Sequence, residues 1–283
     1  MSFRRGFTLI EMMISLAIAG IVLSAAYKLL VANQRFYRSQ SVIADVESNV
    51  RESALILAGE LREVSPVGGD LQQMTDTAIT INAMRALGIV CVVPDFLLGR
   101  VVIKDATTFK YRAIDATRDS VFIFREGVAN TTTDDTWLRG KVSGTTAQNC
   151  TDGTAGTRVA MTALSASMPF SVLSGATIGA PVRTFETVNY RLYQDATGTW
   201  YLGVRTWVSG AWTNTSAVAG PMRPNDGVHF DYYDAAGLPT AIAANVVAIG
   251  VTVRGRSTAS INTAGRPAGV YNDSLTIRVA VRN

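Results

Sequence analysis

From Phe7 to Ala32 the chain is almost wholly apolar, with Glu11 and Lys28 as the charges in that stretch. A helix over these residues extends about 39 Å, more than the roughly 30 Å of a bilayer's hydrocarbon core, so a membrane-spanning segment is predicted over 7–32. Beyond Ala32 the pattern becomes a single stripe. Phe36, Ile43, Val46, Val50, Ala54, Leu57, Leu61 and Val64 recur at helical spacing, with Arg38, Glu47, Arg51, Glu52, Arg62 and Glu63 on the opposite side. Pro66 disfavours helix at the residue before it, and Gly68 and Gly69 come next, so the helix is expected to end near Ser65. One helix from Phe7 to about Glu63, roughly 85 Å long, is predicted. An all-apolar half joined to an amphipathic half describes a helix that leaves its own domain, because a globular body buries only one stripe.

After Gly69 the helical period fades, and short alternating runs bounded by Gly, Asp, Asn and Pro take over. Strands are predicted near 77–84, 87–93, 99–104, 107–114, 120–126 and 136–142. A looser Thr/Gly-rich stretch occupies 143–180. Strands resume near 182–194, 199–208, 211–219, 227–234, 245–255 and 273–282. Asp195-Ala196-Thr197-Gly198 and Asp234-Ala235-Ala236-Gly237 read as hairpin turns, and residues 246–254 alternate in step with 274–281 as a final pair. The expected fold is α+β: a long N-terminal helix packed on a β-rich body with two antiparallel sheets.

Charge changes this picture most at the N-terminus. Arg4 and Arg5 precede the apolar run, which orients a spanning helix with its N-terminus in the cytoplasm and its body on the far side. Glu11 is the anomaly, since a charged group near the centre of a membrane helix costs about 2.5–3.5 kcal/mol on insertion scales. A cut after Gly6 would create an amino group on Phe7 at a similar depth. On one straight helix the two groups point apart, whereas on neighbouring helices offset along an axis they can meet. A carboxylate placed this way acts as a registry device, costly alone and satisfied in an assembly.

Gly6-Phe7-Thr8-Leu9-Ile10-Glu11 resembles the prepilin cleavage and methylation motif of type IV pilins and type II secretion pseudopilins. The resemblance implies cleavage between Gly6 and Phe7 by a prepilin peptidase, N-methylation of Phe7, and pairing of Glu11 with the N-terminus of an adjacent subunit. Many helices of that family carry a proline partway along the protruding half. This one has Gly20 and no proline before Pro66, which puts local melting of the helix during assembly in doubt. Further along, Asn189-Tyr190-Arg191-Leu192-Tyr193, Val204-Arg205-Thr206, residues 228–234 with Gly237, and residues 246–253 are similar in order to features of PilW-type minor pilins and J-type pseudopilins. Residues 85–180 match no pattern.

The composition, 48% hydrophobic and 17% charged with Thr, Ser, Ala and Gly at the polar positions, suits an exported β-rich protein. The net charge of +4 is scattered without a Lys/Arg block, and no specific nucleic-acid partner is expected. If the body lies outside the cytoplasm, Cys91 and Cys150 can pair; alternatively Cys91, inside the apolar run 88–93, is a buried thiol. His229 is the one histidine, so multi-histidine zinc sites are excluded, and no phosphate loop or nucleophile elbow is present. Asp134 with Asp135, and Asp231 with Asp234, are acidic clusters that read as solvated turns in preference to a calcium site. Trp200, Trp207 and Trp212 are expected together on one hairpin.

The expected organisation is a cleaved leader over 1–6, a membrane and assembly helix over 7–32, an amphipathic helix over 33–65 and a β-rich periplasmic or extracellular body over 66–283. The expected function is that of a structural minor pilin, not an enzyme, without cofactor or metal. It would sit in the bacterial inner membrane and then in a filament. Its expected partners are the prepilin peptidase, other pilins or pseudopilins and assembly-platform proteins. A J-like pseudopilin and a pilus-tip adhesin are the alternatives.

Overall fold

Thr8 has an extended backbone and caps the long N-terminal helix: its Oγ1 accepts the Glu11 N–H at 3.3 Å, and helix α1 runs unbroken over Leu9–Arg62. In this computed structural model the described residues are 8–95, 98–127, 131, 135–163, 176–261 and 268–282. Helix α1 ends where the sequence predicts. The N–H of Ser65 donates to Asp70 Oδ2, and the N–H of Arg282, near the C-terminus, donates to the Val64 carbonyl.

The body contributes β1 (Leu71–Met74), β2 (Ala78–Ile89), β3 (Arg100–Lys104), β4 (Phe109–Lys110), β5 (Asp119–Arg125), β6 (Thr136–Ala147) and β7 (Gly156–Ala163). It continues with β8 (Pro181–Gln194), β9 (Trp200–Val208), β10 (Ala211–Trp212), β11 (Ser216–Ala219), β12 (Val228–Tyr233), β13 (Ala248–Ile261) and β14 (Gly269–Ala280). Strands β1–β11 form one antiparallel sheet, and β12-β13-β14 form a second. The expected architecture, a long apolar helix on a β-rich body with two antiparallel sheets, is the one observed.

Val50, Ala54, Leu57 and Leu61 of α1 fill the space between the sheets, against Val251 and Val253 of β13 on one side and Ile79, Ile81 and Val188 on the other. Close approach of the helix needs Gly255: a Cβ there would lie 2.6 Å from Val50 Cγ2 and 3.0 Å from Val46 Cγ1. The predicted stripe is too long at its N-terminal end. Phe36 is 59% exposed and Ile43 only half-buried; the first buried residue of the helix is Ser39.

A second core lies further from the helix. From β2 the strand order runs β8, β5, β6, β7, β3. Then β3 returns to the end of β2, through an antiparallel bridge between Ile103 and Val90 and a 2.9 Å bond from the Cys91 N–H to the Val102 carbonyl. Six strands thus close into a small barrel, filled by Val90, Val101, Val121, Ile123, Leu138, Val159 and their neighbours. Gly88 permits the closure, since a Cβ there would sit 2.3 Å from Ile103 Cγ2.

The structure corrects several sequence expectations. The runs 77–84 and 87–93 belong largely to the single strand β2, whose ladder with β8 shifts register between Met84 and Ala86. The run 107–114 holds only the two-residue β4, preceded by a 3₁₀ turn over Asp105–Thr107. The Thr/Gly-rich stretch 143–180 contains the end of β6 and all of β7, because threonine is β-branched and suits a pleated surface. Residues 164–175 of that stretch lie outside the described residues. The run 211–219 divides into β10 and β11, both paired with β9. Asp234–Gly237 forms a tight turn closed by a bridge between Tyr233 and Pro239, not a direct hairpin between long strands.

Candidate functional site

The first half of α1 stands clear of the body. From Leu9 to Leu30 every large apolar side chain is more than half exposed, far beyond what scattered surface hydrophobes account for. It is the one helix among the described residues long and apolar enough to cross a membrane. Glu11 occupies its first turn, where a carboxylate faces the positive end of the helix dipole. Thr8-Leu9-Ile10-Glu11 has the spacing of a capping box, and one of its two hydrogen bonds is formed. The Glu11 carbonyl accepts the Ser15 hydroxyl at 2.8 Å. The Glu11 carboxylate has no hydrogen-bond or ion-pair partner among the described residues. Gly6, Phe7 and the leader lie outside them.

Residues 1–27 match the prokaryotic N-terminal methylation motif. No curated protein and no solved structure matches the chain. The methylation motif supports a type IV pilin-like or pseudopilin subunit, anchored in a membrane by its apolar helix, processed by a prepilin peptidase and assembled with other pilins. Families with this motif are structural subunits. The match ends at Tyr27, so the character of the body rests on its own geometry.

Cys91 and Cys150 are joined in a disulfide, with their Cα atoms 5.2 Å apart. Cys91 lies just past β2 and Cys150 sits in the turn between β6 and β7, so the bond fastens the barrel where it closes. Thr151 adds to the fastening, donating its hydroxyl to the Cys91 carbonyl at 2.9 Å.

Between the two cores lies a layer of charge. Glu186 of β8 accepts from Arg85 of β2 and, at 2.9 Å, from Arg112. Arg112 also forks onto Asp119 of β5, and Arg85 reaches Glu60 of α1 at 3.2 Å. Those bonds hold the Arg112 guanidinium above its ordinary pKa, led by the Asp119 contact and against the opposing effect of burial. The layer ties helix, sheet and barrel together at one level. Sequence patterns do not reveal it, because its members come from five separated segments.

The weaker sequence candidates separate. His229 Nε2 lies 3.2 Å from Asp231 Oδ1. Asp234 caps its own turn through the N–H groups of Ala236 and Leu238. Asp135 accepts the Gly127 N–H, and Asp134 lies outside the described residues. Among the described residues no group of three or more metal-binding side chains converges. The three tryptophans do not cluster: Trp200 packs against the helix-side core, whereas Trp207 and Trp212 meet edge to face at 5.2 Å. They divide because Trp200 begins β9 and Trp207 nears its far end.

Proposed function

We infer that the chain is a minor pilin of a type IV pilus. Cleavage after Gly6 frees Phe7 for N-methylation. Residues 7–32 then leave the bilayer for a bundle of like helices, residues 33–65 stay with the body, and residues 66–283 project from the filament. Orientation is set by Arg4 and Arg5, with the body in the periplasm before assembly. The observation that carries the reading is the methylation motif at the head of a free-standing apolar helix whose first-turn carboxylate, Glu11, has no partner of its own among the described residues. Such a carboxylate is stabilised when an amino terminus from a neighbouring subunit meets it. Minor rather than major status rests on bulk: a body with two cores is large for a subunit repeated along a whole filament.

The intact mass of protein extracted from membranes tests the reading. Loss of residues 1–6 with gain of one methyl group is expected. A mature chain that retains Met1–Gly6, or one trimmed past Glu11 and freely soluble, overturns it.

The barrel favours a second reading, a binding subunit at the pilus tip. Most of it is an excursion between two neighbouring strands, β2 and β8, with a core of its own apart from the helix-side core. Filament counts against attachment assays on a barrel-deleted variant separate scaffold from binder.

A further inference from the structure

The outer face of the large sheet, turned away from α1, concentrates cations and aromatic rings, and its strands contribute no carboxylate to it. Along β8, Val188, Tyr190 and Leu192 face the helix-side core and Val182 faces the barrel core. The alternate residues Arg183, Phe185, Thr187, Asn189 and Arg191 therefore line the opposite face. The ladder places Arg139 and Lys141 of β6 opposite Phe122 and Ser120 of β5, and Arg205 and Trp207 of β9 beside Asn189 and Thr187. In β2, β5, β6, β8 and β9 the only acidic residues are Asp119 and Glu186, and both point inward to the charge layer.

Arg183 is neutralised by Asp70. Arg139, Lys141, Arg191 and Arg205 have no carboxylate within ion-pair distance among the described residues. Burial pushes the Arg139 guanidinium below its ordinary pKa, opposed by the attraction of Asp70 and aided by the nearby Arg183; burial and Arg191 lower Arg205. Lys141, Arg191 and Arg205 therefore leave the face with positive charge that no described carboxylate pairs. Of its rings Phe122 and Phe185 are buried, Trp207 is 41% exposed, and the Arg205 guanidinium lies 4.6 Å from the centre of the Trp212 ring. At the seam between barrel and helix-side sheet a cleft of about 240 Å³ opens, with Asn82, Arg139, Lys141, Phe185, Thr187 and Trp207 among the residues that line it.

We propose that this face binds single-stranded nucleic acid, with Lys141, Arg139 and Arg205 on the phosphates and Trp207 stacking a base at the seam. Cations without carboxylate partners attract a polyanion, and a flat face with exposed rings and guanidinium planes suits bases whose own faces are free. A duplex hides those faces and would leave Trp207 with nothing to stack on. A sheet that presents its open face to unpaired bases is a recurring solution for such ligands. Binding of this kind engages the body alone and is independent of how the helix assembles.

The test uses the full chain in detergent micelles and fluorescein-labelled oligothymidylate, read by anisotropy across a salt series. Saturable binding that weakens with salt is expected. Trp207→Ala should weaken it about fivefold or more. Lys141→Ala should reduce the log–log salt slope by about 0.7. Arg62→Ala, a cation on α1, should change nothing, and thermal unfolding of the Trp207 and Lys141 variants should match the parent. Absence of saturable binding at low salt overturns the proposal, as does binding indifferent to both substitutions. Equal affinity for a duplex of the same length overturns it too. So does preference for hyaluronate without dependence on Trp207, which would make the face a surface for acidic polysaccharide.

Discussion

Arg183 donates to both carboxylate oxygens of Asp70, at 2.8 and 3.2 Å, with both side chains buried. The pair joins β8 to the segment just past α1, and Asp70 also accepts the Ser65 N–H. The Arg183 guanidinium lies over the rings of Phe122 and Trp137, at 4.5 and 5.0 Å from their centres. Removing one partner strands the other charge in the interior. Asp70→Ala should therefore destabilise the body by about 3–5 kcal/mol, measured by denaturant unfolding. Asp70→Leu combined with Arg183→Met should cost much less than the single change, because no unpaired charge remains.

Glu11→Ala should still insert in the membrane and lose its leader, yet enter filaments poorly. Quantifying the variant in sheared filaments against the membrane fraction checks this. Normal incorporation would remove the registry role assigned to Glu11.

The disulfide between Cys91 and Cys150 spans 59 residues of chain, for which the loop-entropy relation gives about 4 kcal/mol. Reduction, or Cys91→Ser with Cys150→Ser, should lower stability by up to about that amount. Hydrogen exchange should rise first in β3, β6 and β7, and least in the part of α1 packed between the sheets. A uniform rise across the body would show that the two cores unfold as one.

Gly255→Val should lower stability by about 1–3 kcal/mol, because its side chain meets Val50 and Val46 across a gap already closed. Hydrogen-exchange protection of α1 near Val50 should fall with it, and the barrel should be little affected.

Asp115 accepts from the hydroxyl and N–H of Thr117 and from Arg118, and these contacts lower its pKa to about 2. A depressed carboxyl stabilises the fold above its unfolded value, about 3.9, and that contribution is lost as pH falls toward the folded value. Asp115→Asn should therefore flatten the loss of melting temperature between about pH 4 and pH 2. The side chain is partly open to solvent, so the change should be small but of that sign.

The helix was legible because its signals agree: an apolar run, a stripe at helical spacing, and Pro66 with two glycines to stop it. Glu11 stood out because a lone carboxylate in an apolar run has few structural uses. The final pair β13 and β14 was legible from alternation in both segments. Barrel closure was not, because it depends on Val90 meeting Ile103 after four intervening strands in the ladder, and no local pattern encodes that return. The basic face was hidden for a related reason. Its cations occupy alternate positions on separate strands, so they form no block along the sequence, and only the register of β5, β6, β8 and β9 gathers them.

Ile89 and Pro181 are partners in the β2–β8 ladder. The chain thus departs and rejoins at one point of the ladder, and the described strands β3–β7 all fall between those two residues. An insertion at that point can change in length without altering the order in which the stem strands follow the helix.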